Sequence, residues 1–112
     1  MNPKHETIVA EDLFYVLVDV GKRPSDITTS YILPSKVVAA CIRDSHRIWL
    51  ETPGRGGRSH KDTPVRRLRP DYSNIKPITE EGRKTISRYR SGWLAPYCEN
   101  WGILGLPEAE AF

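Results

Sequence analysis

The chain has 112 residues, 38% of them apolar and 28% charged, with three Trp and five Tyr. This composition excludes a disordered or fibrous chain and leaves room for about one domain around a single core. The formal net charge is a mild +3, and no apolar run approaches the roughly 20 residues of a membrane-spanning helix.

The charge is unevenly spread. Residues 54–90 hold eleven Lys and Arg against four Asp and Glu, a net +7, while the rest of the chain holds six against ten, a net −4. A basic segment on an acidic body marks either a polyanion-binding face or an ordinary solvated loop. The N-terminus lacks the basic start and apolar stretch of a signal peptide. The expectation is therefore a cytoplasmic protein without a membrane partner, with Cys41 buried on a helix face, Cys98 beside aromatics, and both reduced.

In chain order, residues 1–12 are polar and read as a loosely tied arm. Residues 13–20, Leu-Phe-Tyr-Val-Leu-Val-Asp-Val, read as a strand buried on both faces inside a helix-covered sheet. Loop formers fill 21–26, and a second strand spans 28–33, ended by Pro34 at a sheet edge. Ser35 is placed as the N-cap of a helix over 36–50. On that helix Val38, Cys41, Ile42, Ser45 and Trp49 share one face, with Ala39, Arg43 and Arg47 toward the other.

The pattern then breaks into a basic Gly/Pro-containing loop region over 54–77, beginning with a flexible Gly54-Arg55-Gly56-Gly57-Arg58 stretch. Thr79 followed by Glu80 and Glu81 starts a short helix reaching Tyr89. The tail, 93–106, is aromatic and docks back on the sheet. Together these elements make one α/β domain over 1–112, with α+β as the alternative: a small mixed sheet packed by one main helix and C-terminal elements. So few strands expose edges. That predicts either further strands from 60–77 or a homodimer that completes the sheet.

The strand Phe14 to Val20, the strand end Tyr31-Ile32-Leu33-Pro34-Ser35, the helix reaching Trp49 and the later Glu99-Asn100-Trp101-Gly102-Ile103-Leu104 resemble the C-terminal half of restriction-endonuclease-like proteins, the PD-(D/E)XK superfamily. The resemblance covers residues 13–50 and the tail. It implies a nuclease-like topology without the catalytic hairpin, because the residues before the first strand are too few to supply that hairpin. Pro70-Asp71 with Glu81-Gly82-Arg83 imitates the signature on paper. The chemistry requires its carboxylates and base on adjacent strands facing one metal, and these residues show no strand alternation.

No catalytic residue, metal set or cofactor motif is assigned from the sequence. Asp19 and Asp26 flank a turn at a strand end and, with Glu51, are weighed as a cation site against ordinary turn carboxylates. His46, His60 and the two cysteines lack zinc spacing. The glycine-rich stretch lacks the ending and context of a phosphate-binding loop, but its arginines suit contacts with a nucleic-acid backbone, which need only charge and reach. The contact set is Arg55, Arg58, Lys61, Arg66, Arg67 and Arg69, joined by Arg83, Lys84, Arg88 and Arg90. Tyr72 and Tyr89 either stack on unpaired bases or pack the loop onto the core. Trp93, Tyr97 and Trp101 form either a second core or a partner patch.

The leading expectation is a nucleic-acid-associated accessory protein without catalysis of its own. The alternative is a protein–protein interaction module, such as a small inhibitor or assembly factor of phage or bacterial defence. The third is a metal-dependent nuclease completed by dimerisation, with Asp19 as its first candidate residue.

Overall fold

A computed structural model describes residues 1–105; Leu106, the last residue of the expected tail, lies outside them. Two strands, β1 (Phe14–Asp19) and β2 (Thr29–Pro34), form an antiparallel hairpin in which Phe14 pairs with Pro34 and Asp19 with Thr29. Helix α1 (Ser35–Glu51) follows β2 without a loop, and a short helix α2 (Glu80–Ile86) continues as a 3-10 turn over Ser87–Tyr89. Helix and sheet are thus combined in one small α and β domain. Among the described residues the sheet is purely antiparallel rather than mixed, and residues 60–77 contribute no strand to it.

Alternation along the hairpin divides its residues between two faces. Tyr15, Leu17, Tyr31 and Leu33 pack with Val38 and Ile42 of α1 and with Leu94. The opposite face is open along β1 only: Val16 is 47% and Val18 56% exposed, and Val20 beyond the strand end is 64% exposed, whereas Ile32, the partner of Val16 on β2, is fully buried. The expectation of a strand buried on both faces is therefore corrected. The continuous apolar run matched a central strand, whereas α1 covers only one side.

A second cluster lies on the other flank of α1, where Cys41 and Ile48 meet Tyr72, Ile86 and Tyr89. Leu68 and Trp93 touch both clusters and join them. Burying each of the large aliphatic residues of α1 contributes about 1.5–3 kcal/mol. The apolar stripe of α1 runs as expected through Val38, Cys41, Ile42 and Ser45, but its last buried position is Ile48, with Trp49 half-buried. Ala39, placed toward the outer face, is buried too.

The start of α1 differs from the expected cap. Ser35 is the first helical residue and Pro34 the N-cap, still extended with ψ 146° at the end of β2 and without a side-chain cap bond. The Ser35 hydroxyl bonds Ala10 instead: it accepts from Ala10 N–H at 3.0 Å and donates to Ala10 C=O at 2.9 Å. The Ser35 amide donates to Leu13 C=O at 2.9 Å. These bonds, with a 3-10 turn at Pro3–Glu6 packed against α1, fix the N-terminal arm expected to hang loosely.

Candidate nucleic-acid interface

Three stretches meet around the C-terminal half of α1: the helix itself, the loop after it, and residues 63–75. Trp49 shares a side with His46 and Ser45 because it lies three and four residues after them. The following loop folds back onto them. His60 stacks on Trp49 with ring centroids 4.1 Å apart and planes 25° from parallel, and His46 Nε2 lies 2.9 Å from Asp62 Oδ1. That hydrogen bond holds the Asp62 carboxyl below its ordinary value.

The glycines make this return possible. Gly56 and Gly57 both have left-handed φ, 72° and 77°, which side chains adopt only at a cost. Gly54 N–H donates to Arg58 C=O at 2.7 Å and Gly57 N–H to Gly54 C=O at 3.0 Å. The amides of Gly54 and Gly57 thus close a turn and are not left to cradle a phosphate, while Arg55 and Arg58 stand exposed.

Between α1 and residues 63–75 lies an open groove of about 370 Å³, with His46 and Trp49 on one wall and Arg67, Arg69, Asn74 and Ile75 on the other. Tyr72 closes its base. The Tyr72 hydroxyl donates to Arg67 C=O at 2.7 Å and accepts from Arg69 N–H at 2.8 Å. It also receives the Cys41 thiol at 3.6 Å. Burial pushes the phenol well above its ordinary value, so this hydroxyl keeps its proton and its donor role. The indole N–H of Trp93 donates to Arg69 C=O at 2.9 Å. A single clasp therefore sets the backbone from which Arg67 and Arg69 project.

Of the ten basic residues singled out in the sequence, Arg67 and Arg69 alone line this groove. Arg55, Arg58 and Lys61 are exposed on the adjoining loop, and Arg83, Lys84, Arg88 and Arg90 are exposed on α2 and just beyond it. Arg66 has a different place. Its side chain is 9% exposed; the guanidinium pairs with Glu6 and donates to Thr63 C=O at 2.7 Å, and its amide donates to Met1 C=O. It holds the N-terminal arm and does not face solvent.

Tyr72 and Tyr89, weighed as base-stacking residues, are only 3% and 8% exposed and belong to the core. Tyr89 meets Trp93 edge to face at 5.2 Å, and Trp93 meets Tyr97 at 6.4 Å. Two of the three tail aromatics are thus core, whereas Trp101 is 44% exposed.

Asp19 and Asp26 are turn carboxylates: Asp19 accepts from Gly21 N–H at 2.9 Å, and Asp26 from the amides of Lys22 and Arg23 at 2.9 and 3.0 Å. Glu51 pairs with Arg47 at 3.7 Å. Asp71 accepts from the amide and hydroxyl of Ser73, and Glu81 lies in the first turn of α2, 3.8 Å from Arg47.

Sequence reasoning did not place His46 and Trp49 in this groove. Their spacing on α1 was visible, but the partners that turn them into a wall lie eleven and sixteen residues away, beyond any periodic signal. Comparison with known proteins finds no match for this chain, whether among protein-family models, curated proteins or solved structures.

Proposed function

We propose that this protein binds nucleic acid through the phosphate backbone, as an accessory protein with no catalysis of its own. One observation supports this reading above the others: Arg67 and Arg69 both line a groove walled by His46 and Trp49, beside the exposed Arg55, Arg58 and Lys61. Among the described residues, Arg66 alone of the ten candidate cations is paired with a carboxylate. The other nine bring positive charge without an internal neutralising partner, which suits contacts made by charge and reach rather than by base edges. Binding is then largely independent of sequence. The resemblance to nuclease-like proteins is an analogy of topology and carries no weight in this reading.

The test is the affinity for labelled duplex DNA, single-stranded DNA and RNA across a salt series. The affinity is expected to fall steeply with salt, by a logarithmic slope of about one per phosphate contact. Arg67→Glu with Arg69→Glu is expected to lower affinity at least about tenfold and to flatten that slope by about two. The charge-matched control, Lys4→Glu with Lys36→Glu, lies outside the basic segment and is expected to change affinity far less. Absence of binding at low salt, or equal losses in the two double variants, would refute the proposal.

A further inference from the structure

The hairpin has two edges, and they are treated differently. Along β2, Tyr31 bridges to Cys98, Ser30 N–H donates to Glu99 Oε1 at 2.8 Å, and Glu99 N–H returns a bond to Ser30 C=O at 2.8 Å. Along β1, the pairing with β2 is the only strand pairing among the described residues, so its outer row of backbone groups has no strand beside it. That open edge also borders the exposed face carrying Val16, Val18 and Val20. An edge of this kind, without a proline, bulge or inward charge, is a template for another strand.

The residues flanking β1 say which strand. Glu11 and Asp12 precede it and Lys22 and Arg23 follow it, all exposed. Antiparallel pairing of β1 with a second β1 therefore sets the acidic end of each copy against the basic end of the other. Register narrows this further. Opposed residues in an antiparallel pair share a face, so a register offset by one residue would put one copy's valine face beside the other's helix-covered face.

Among the face-matching registers, the one with Leu17 opposite itself pairs Val16 with Val18 and Phe14 with Val20, and brings Glu11 and Asp12, just before the strand, to the same end as Lys22 and Arg23 of the other copy. That register also sets Tyr15 against Asp19, at the strand end; centring on Val16 instead sets Asp12 against Val20, and centring on Val18 sets Phe14 against Lys22. We propose that β1 docks with β1 of a second copy of this chain about a two-fold axis at Leu17, joining two hairpins into a four-stranded antiparallel sheet. Both helix α1 layers then lie on one face, and the two valine rows form one apolar surface on the other. This rests on the edge and its charges, independently of the nucleic-acid reading.

The experiment is sedimentation equilibrium of the full chain without nucleic acid, with circular dichroism confirming the fold of every variant. A dimer is expected. Lys22→Glu with Arg23→Glu is expected to raise its dissociation constant at least about tenfold, as is Glu11→Lys with Asp12→Lys, because each places like charges together. Combining all four substitutions is expected to restore wild-type association, which a merely structural role for these side chains would not do. In a Cys98→Ser background, Val16→Cys mixed with Val18→Cys is expected to cross-link far better than either alone, reporting the register. A monomer at sub-millimolar concentration overturns the proposal. So does a dimer indifferent to the charge reversals, or one that cross-links best through Val16→Cys alone.

Discussion

Glu99 is the residue on which the C-terminal segment turns back to the sheet. Its φ of 50° is unusual for a side chain larger than glycine, and the surroundings account for it. Its carboxylate accepts from Ser30 N–H at 2.8 Å and from the Trp101 indole at 2.6 Å, while its own amide reaches Ser30 C=O. Those donors hold the carboxyl below its ordinary value of 4.5, the Ser30 amide being the larger cause. A depressed folded value gives stability that is fully present above pH 4.5 and is lost as pH falls through the lower folded value. The tail should accordingly loosen in acid before the core does. Trp101 fluorescence in a Trp49→Phe/Trp93→Phe background should titrate below pH 4.5, and Glu99→Gln should remove that titration. An unchanged titration in Glu99→Gln would assign the change to another group. None of this was visible in the sequence, where Glu99 was one polar residue in an aromatic tail and its partner Ser30 lay sixty-nine positions away.

At the scale of elements, what was local in the sequence was read well and what was distant was not. The β-branched run of β1, the proline ending β2, the stripe of α1 and the Thr79 cap of α2 all follow from neighbours within a turn or two. The Thr79 hydroxyl does accept from Gly82 N–H at 2.9 Å. The sidedness of β1 depended instead on how many layers the chain could build, and the role of Arg66 on an acid sixty positions earlier. Ser35 sits between the two cases. It was recognised as a residue of the helix start, but its hydroxyl serves the arm. Ser35 is 1% exposed, so Ser35→Ala leaves both backbone groups of Ala10 without their partner. The expected cost is about 1–3 kcal/mol, read as a lower denaturation midpoint together with faster hydrogen exchange at the Ala10 amide. Faster exchange without a stability loss would mean that the arm is tied to α1 mainly by the Arg66–Glu6 pair.

For the whole molecule, the cluster that joins α1 to α2 and to the groove makes stability sensitive to alkali. Burial pushes the Cys41 thiol up from 9.0 to about 12 and the Tyr89 phenol up from 10.0 to about 12, and it raises Tyr72 as well. All three are neutral when packed, so the unfolded chain loses its protons first. Their contribution is complete below the unfolded values and disappears as pH rises through the folded ones. Stability should thus hold to about pH 9 and then decline toward about pH 12, with Cys41 alone giving a slope of about 1.4 kcal/mol per pH unit where only the unfolded thiol is ionised. Urea midpoints across this range should fall for the wild type, and Cys41→Ala should delay the onset until the tyrosines begin to ionise. Thiol labelling gives a second view of the same cluster: exposed Cys98 should react in the native protein, and Cys41 only as the fold opens. Because Tyr72 also fixes the backbone of Arg67 and Arg69, the groove should fail over the same alkaline range. Any nucleic-acid binding would then be lost together with the tertiary fold, well before arginine itself could lose its charge.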